Sequence, residues 1–487
     1  MRTGTGRKTF LAALGCAAAM AAGPALWAQG DQEPAGLRVD AIPAALQQKI
    51  VQTSRQVLAE TGVPSASVAI VRDGRIEYTQ AYGVGRLATG AHPAVMAAPA
   101  TRYSIGSISK QFTASAILML EQQGKLTLDD PVSQWLPQLT DAKDVTLREL
   151  LSHTSGYQDF WPEDYVMPPM MLPTTAQHIV DTWGEKPLDF PPGTQWQYSN
   201  TNYVIAGRIV ELVSGEPLMQ FLEQHIFEPL HMEQVWDSDT SQLGPHDAEG
   251  TVGYALGPPR PAPNEGQGWM FAAGELAMPA YDLAQWDISV MDRTLLTAQS
   301  YEELEAPVLL KDGTNTHYAL GLEVGSLDGH AYLAHSGEVS GFVAENMVFP
   351  KDKLAIVVLT NEIASRAAGG ITRDLAPLLL GVTKQSATGA QTQALQIFRG
   401  LQKGKIDRSL FTPWCNAYFD RALDDFHASL APLGKPASLK QVEESLRGGM
   451  TFRAFKVTFP NSSRVLTVTT YTEPDGKLEQ YLVMPSS

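Results

Sequence analysis

The 487-residue chain predicts an α+β (α/β) fold: an antiparallel sheet flanked by helices, with a helical subdomain inserted. Three observations carry that expectation. Two early apolar runs, residues 66–71 and 76–81, turn at Asp73-Gly74, a dipeptide suited to a tight hairpin. A late group reads as strands: a segment opening at His335, residues 343–349, and a continuous apolar run at 354–359 that fits a buried strand. Between them, residues 125–310 mix helical patterns with loops such as Gly257-Pro258-Pro259-Arg260-Pro261.

The elements follow in order. Residues 40–62 predict an amphipathic helix ahead of the hairpin, and residues 112–123 a strong helix after it. Residues 203–213 continue the helical subdomain, residues 315–360 complete the sheet, and a helical run at 371–380 closes the core. The active cleft is expected between sheet and subdomain. Residues 381–393, rich in Thr, Ser, Gly, Ala and Gln, read as a linker. A separate unit follows, with 12 basic and 9 acidic side chains in residues 391–487. It begins helically and shows strands at 451–459, 465–471 and 478–483. The expected organisation is therefore a leader at 1–28, a main domain at 29–385 and a small α+β accessory domain at 386–487.

Chemistry concentrates at three places. Ser107-Ile108-Ser109-Lys110 is the single S-x-x-K of the chain, and Tyr198-Ser199-Asn200 its single Y-x-N. Ser107 is expected in the first turn of a helix, where unpaired N–H groups favour a developing anion. Lys110, three residues on, stands on the same face. Burial must lower its pKa before it can take the serine proton. Tyr198 follows the Pro191-Pro192-Gly193 turn, and its phenol can relay protons. Asn200 can donate to and accept from a substrate amide. His335-Ser336-Gly337-Glu338 opens a strand whose glycine allows a ligand close to the backbone. The N–H of Glu338 would join that of Ser107 as an oxyanion hole. Lys311-Asp312-Gly313 reads instead as a hairpin turn. His153 reads as a turn-capping residue, and Asp159, Glu163 and Asp164 as a solvated acidic face at the cleft rim.

With these motifs the chain resembles the β-lactamase and penicillin-binding serine hydrolase family, in the branch of class C β-lactamases, D-alanyl-D-alanine carboxypeptidases, D-aminopeptidases and esterases. Residues 150–156, Pro192-Gly193, residues 273–276 and 282–286 support the resemblance, which spans residues 40–380. It implies a β-lactamase/transpeptidase-like fold, with Ser107 as nucleophile and Lys110 and Tyr198 sharing acid–base duty. It places Asn200, His335, Ser336 and Gly337 around the substrate. Histidine stands where class C β-lactamases carry Lys-Thr-Gly, which is closer to the peptidase and esterase members. The expected function is an exported peptidase or amidase acting through an acyl-enzyme. The alternatives are an esterase or β-lactamase, and a penicillin-binding sensor without turnover. The C-terminal unit weakly resembles ketosteroid-isomerase-like cone folds, with self-association or cover of the main domain as its expected roles.

Arg2, Arg7 and Lys8 precede an apolar, alanine-rich stretch at residues 10–28, which reads as a secretory signal peptide and places the protein in the periplasm or outside the cell. Cys16 within it leaves lipidation open. Removing it would leave Cys415 alone, so no internal disulfide is expected. A net charge of −16 disfavours nucleic acid and anionic membrane as partners. A small-molecule or peptide substrate is expected, with no cofactor, metal or stable membrane span.

Overall fold

The Asp73-Gly74 hairpin forms as its residue types require. Both residues take left-handed backbone angles, φ 51° and 72°, so the turn matches the twist of its flanking strands. In this computed structural model the described residues are 39–485, apart from 91, 163–164, 255–256, 328, 382–387, 448–449, 461 and 474–475. The expected signal segment, Cys16, Glu163 and Asp164 lie outside them.

The hairpin enters a main sheet whose principal strands are β1 (Val39–Asp40), β2 (Ser65–Arg72), β3 (Arg75–Arg86), β4 (Glu323–Leu327), β5 (His330–Val339), β6 (Phe342–Phe349) and β7 (Leu354–Thr360). Their order is β1-β3-β2-β7-β6-β5-β4, and each neighbouring pair is antiparallel. The β2–β7 pairing, with Ser67 opposite Leu359, joins the two ends of the domain in one sheet. Every residue of β7 is buried, as its unbroken apolar sequence implied. Ala66, Val68, Ile356 and Val358 face the helices Ala44–Thr61 and Ala367–Leu380. Ala69, Val71, Val357 and Leu359 belong to the core shared with the helical subdomain.

At the centre of that larger core lies the helix Ser109–Gln122, buried at every position from Ser109 to Leu120. The first helix is shorter than its pattern suggested. Pro43 precedes it, Val39 and Asp40 pair with β3, and Gly62 closes it with φ 79°.

Beyond the main sheet, helices Thr388–Gln402 and Pro413–Leu430 pack on a four-stranded antiparallel meander, Ser438–Arg447, Met450–Phe459, Ser462–Thr472 and Leu478–Pro485. This unit has its own core, including Phe398, Phe419, Phe455 and Tyr481. The expected linker is therefore too long, because residues 388–393 are helical. Their polar composition hides a helix held by Ala394, Ile397, Phe398 and Leu401 one turn further on. The edge strand Ser438–Arg447 was not anticipated either. Its charges and the register shift between Gln441 and Glu443 blur the strand period. Arg366 lies 3.6 Å from Glu443, and Arg373 hydrogen-bonds the carbonyl of Glu444, so this strand touches the main domain. Among the described residues no helix is long and apolar enough to cross a membrane.

One backbone approach sets the geometry of everything that follows. A Cβ on Gly337 would fall 1.8 Å from the carbonyl oxygen of Ile105 and 3.0 Å from the amide nitrogen of Ser107. A Cβ on Gly106, whose φ is 52°, would fall 2.7 Å from the amide of Glu338. The β5 strand thus presses directly on the Ser107 turn. Gly337→Ala should cost about 1–3 kcal/mol, the scale of forced overpacking. It should lower the thermal midpoint measured by circular dichroism. Gly90→Ala, where a Cβ meets nothing within 4 Å, should leave the midpoint in place. Equal midpoints for the two variants would show that the strand can withdraw at no cost.

Candidate active site

Ser107 sits in a single 3-10 turn, Gly106–Ile108, immediately before the helix Ser109–Gln122. The expected first turn of a helix is thus a 3-10 turn that runs directly into the α-helix. Gly106 turns the chain with its positive φ, and the tighter turn then feeds the helix. Lys110 lies one turn on and is fully buried.

The Lys110 amino group has three oxygen partners. It lies 2.9 Å from Ser107 Oγ, 2.8 Å from Asn200 Oδ1 and 2.7 Å from the carbonyl of Ala273. Burial lowers its pKa to about 7, against the opposing pull of Asp159 and Glu275. Glu275 is itself buried, and its carboxyl is pushed up to about 8. Desolvation therefore outweighs both carboxyls, and the amine is poised to titrate near neutrality.

Tyr198 faces Ser107 across the same cavity, and burial raises its phenol far above the usual range. The Lys110 nitrogen lies 5.1 Å from the Tyr198 ring centroid. His153 packs against that ring, centroid to centroid 4.2 Å and 35° between planes. His153 has φ 60°, is fully buried, and accepts the Ser199 N–H at Nδ1 over 3.2 Å. Burial keeps it neutral, so the accepting Nδ1 puts its proton on Nε2. The Gln197 N–H returns to the His153 carbonyl at 3.0 Å. The turn residue of the sequence reading thus also supports the tyrosine loop.

Asn200 begins the helix Asn200–Ser214. Its Nδ2 donates to Asp159 at 3.2 and 3.3 Å, which turns Oδ1 toward Lys110. The Asn200 backbone N–H also reaches Asp159, at 3.0 Å. Asp159 is therefore no solvated face. It is half-buried, its pKa raised by burial, and it carries the asparagine that faces the lysine. A lone aspartate on a Pro-rich loop offered no periodic signal for this.

His335 points into the same cleft from β5. Its Nδ1 donates to the Ser336 carbonyl, and Nε2 accepts from Tyr318 Oη at 2.7 Å. Burial lowers its pKa to about 3, so it is neutral. Tyr318 follows a loop and had no sequence signal. Glu323 also lines the cleft, at the start of β4, and burial raises its carboxyl to about 7. An acid opening a short strand, Gly321-Leu322-Glu323-Val324, was the signal available for it.

These groups share one cavity of about 540 Å³, whose walls include Ser107, Tyr198, Asn200, His335, Ser336 and Glu338. The three motifs of the sequence converge there, with Gly337 buried behind the wall where β5 meets the Ser107 turn. The Lys311-Asp312-Gly313 segment closes a turn, Gly313 N–H to Leu310 carbonyl at 2.8 Å, away from the lining residues.

Comparison with known proteins agrees with this geometry. A family profile described as Beta-lactamase matches residues 50–376. The protein PbpX of Bacillus subtilis (strain 168), named as a penicillin-binding protein, is 30% identical over 312 residues, which cover 63% of this chain and 72% of that protein. The octameric penicillin-binding protein homologue of Pyrococcus abyssi superposes with a TM-score of 0.61 at 23% identity, over 90% of this chain and 99% of that one. A D-stereospecific amidohydrolase of Streptomyces sp. superposes at 0.58 with 25% identity, over 68% of this chain and 99% of that one. The chain belongs to the β-lactamase family of serine hydrolases.

Proposed function

We propose that this hydrolase cleaves amides, as a peptidase or amidase for substrates with D-residues, through an acyl-enzyme on Ser107. The observation that carries the reading is the Lys110 amine, buried and held between Ser107, Asn200 and Ala273. A neutral amine has two N–H bonds and one lone pair. With Asn200 Oδ1 and the Ala273 carbonyl taking the two N–H bonds, the lone pair is left for the Ser107 hydroxyl. Asn200 then acts chiefly by orienting that amine.

In the reaction, Ser107 Oγ forms a bond to the substrate carbonyl carbon as its proton passes to Lys110. The backbone N–H groups of Ser107 and Glu338, brought together by Gly106 and Gly337, would receive the oxyanion. As the C–N bond breaks, the leaving nitrogen takes a proton through Tyr198, whose phenol stays protonated. Water then attacks the ester carbonyl as its proton passes to Lys110; the bond from carbon to Ser107 Oγ breaks as that proton returns to Oγ, and the acid is released. The likeness to a D-stereospecific amidohydrolase supports amides as substrates, and the neutral His335 supports the peptidase side of the family over the β-lactamases. The N-terminal sequence supports export to the periplasm or beyond.

Ser107→Ala should abolish turnover of a D-alanyl anilide and labelling by a fluorescent fluorophosphonate, with the far-ultraviolet spectrum unchanged. Labelling that persists at another serine would sink the assignment.

Lys110→Met and Tyr198→Phe should each slow acylation by about a hundredfold or more, the scale of lost acid–base help. The lowered pKa fixes a direction as well. The neutral amine is the base and is populated above its pKa, so the labelling rate should climb with pH through about 7 and then level off. A flat profile from pH 5 to 9 would place the base elsewhere.

We also infer that residues 386–487 are an accessory domain, on the strength of their separate core and charge balance. The octameric state of the Pyrococcus protein supports self-association through it. Ending the chain at Ser386 should leave Ser107 reactive toward a fluorophosphonate while reducing the assembly size in light scattering. A truncated protein that folds yet cannot be labelled would make these residues part of the active site.

A further inference from the structure

We propose that the cleft selects substrates carrying an ammonium group beside the scissile carbonyl over those carrying a carboxylate, with Glu323 receiving the ammonium. The inference rests on the acyl-enzyme reading of Ser107. Among the described residues three acidic side chains line the cavity, Asp159, Glu323 and Glu338, and no lysine or arginine does. Two of the three are already engaged. Asp159 takes hydrogen bonds from Asn200 and from the Trp161 N–H, and Glu338 Oε1 accepts the Ala364 N–H at 2.8 Å.

Glu323 differs from both. Among the described residues its carboxylate has no hydrogen bond and no ion pair, and burial alone acts on it. Its neighbour Glu345 has Arg373 to favour its charge; Glu323 has no such cation. Its backbone is fixed by the sheet, opposite Ala334 and one residue along β5 from His335, and the residue lines the cavity. Its field raises Tyr198 and Tyr318 on the cleft side as well as Tyr332 and Glu345 within the sheet.

A partly buried carboxylate without a partner is unfavourable until a cation or donor arrives. An ammonium on the substrate supplies both the charge and the N–H donors. A carboxylate at the same place would meet three acids and a neutral His335, while the Lys110 amine behind Ser107 is already held by Asn200 and the Ala273 carbonyl. D-aminoacyl amides with a free amine should therefore be favoured, and substrates with a carboxylate near the reacting bond disfavoured.

Three anilides with one acyl residue and one leaving group isolate the charge: D-alanine p-nitroanilide, its N-acetyl form and its N-succinyl form. The kcat/KM of the free amine should exceed that of the acetyl compound by about tenfold or more, with the succinyl compound lowest. In Glu323→Gln the amine-to-acetyl ratio should fall at least about fivefold. A second measurement needs neither turnover nor the variant. D-alaninamide should protect wild-type Ser107 from fluorophosphonate labelling better than N-acetyl-D-alaninamide does. A labelled enzyme with no amine preference in rates or protection, or one whose preference survives Glu323→Gln, overturns this inference and leaves the acyl-enzyme intact. A folded wild type that cannot be labelled overturns the acyl-enzyme reading and this inference with it.

Discussion

The buried amino group of Lys110 is the constraint on which the rest of the site depends. An amine without water must find its partners in the protein, and here they come from three distant segments: Ser107, Asn200 and the Ala273 carbonyl. Each partner needs a support of its own. Asp159 turns the Asn200 amide, Ala272 adopts φ 59° beside the Ala273 carbonyl, and Gly106 sets the serine turn. The helix that carries Lys110 is consequently buried almost throughout, at the junction of sheet and subdomain.

The residues that could be read from sequence are those whose spacing reports chemistry within one turn. Ser107 and Lys110 belong to one helical face, Tyr198 and Asn200 to one loop, and His335 to Glu338 to one strand. What sequence could not give is which loops return to them. Asp159, Tyr318 and Glu323 lie on segments without period, and only the fold brings them to the cleft. His153 was visible but ambiguous, because a turn histidine and a ring that supports Tyr198 look alike until φ 60° and the 4.2 Å stacking are known. The sheet was legible where strands are central and apolar, as in β7. It was not legible at the charged edge strand Ser438–Arg447, where solvent exposure removes the alternation that a half-buried strand would show.

The same burial drives the two proton carriers in opposite directions. Desolvation disfavours a charged amine and a charged phenolate alike. It therefore lowers Lys110 toward neutrality and raises Tyr198 away from it. On the proposed mechanism, one dry site thus yields a base that can be empty near pH 7 and a donor that stays protonated. Had Lys110 been solvated, the pair would have been an ammonium and a phenol, with no acceptor for the serine proton.

Dryness has a further consequence for the walls. Carboxyls near the amine tend to recharge it, and Asp159 and Glu275 both pull in that direction. Burial limits the effect: it raises the Asp159 carboxyl against the hydrogen bonds from Asn200 that favour its charge, and it lifts Glu275 until its carboxyl titrates near 8. Glu323 acts on the tyrosines instead: its negative field helps keep Tyr198 protonated. An ammonium bound there would weaken that field as the substrate arrived. Loading the substrate would then make the phenol a readier proton donor at the moment the leaving nitrogen needs one.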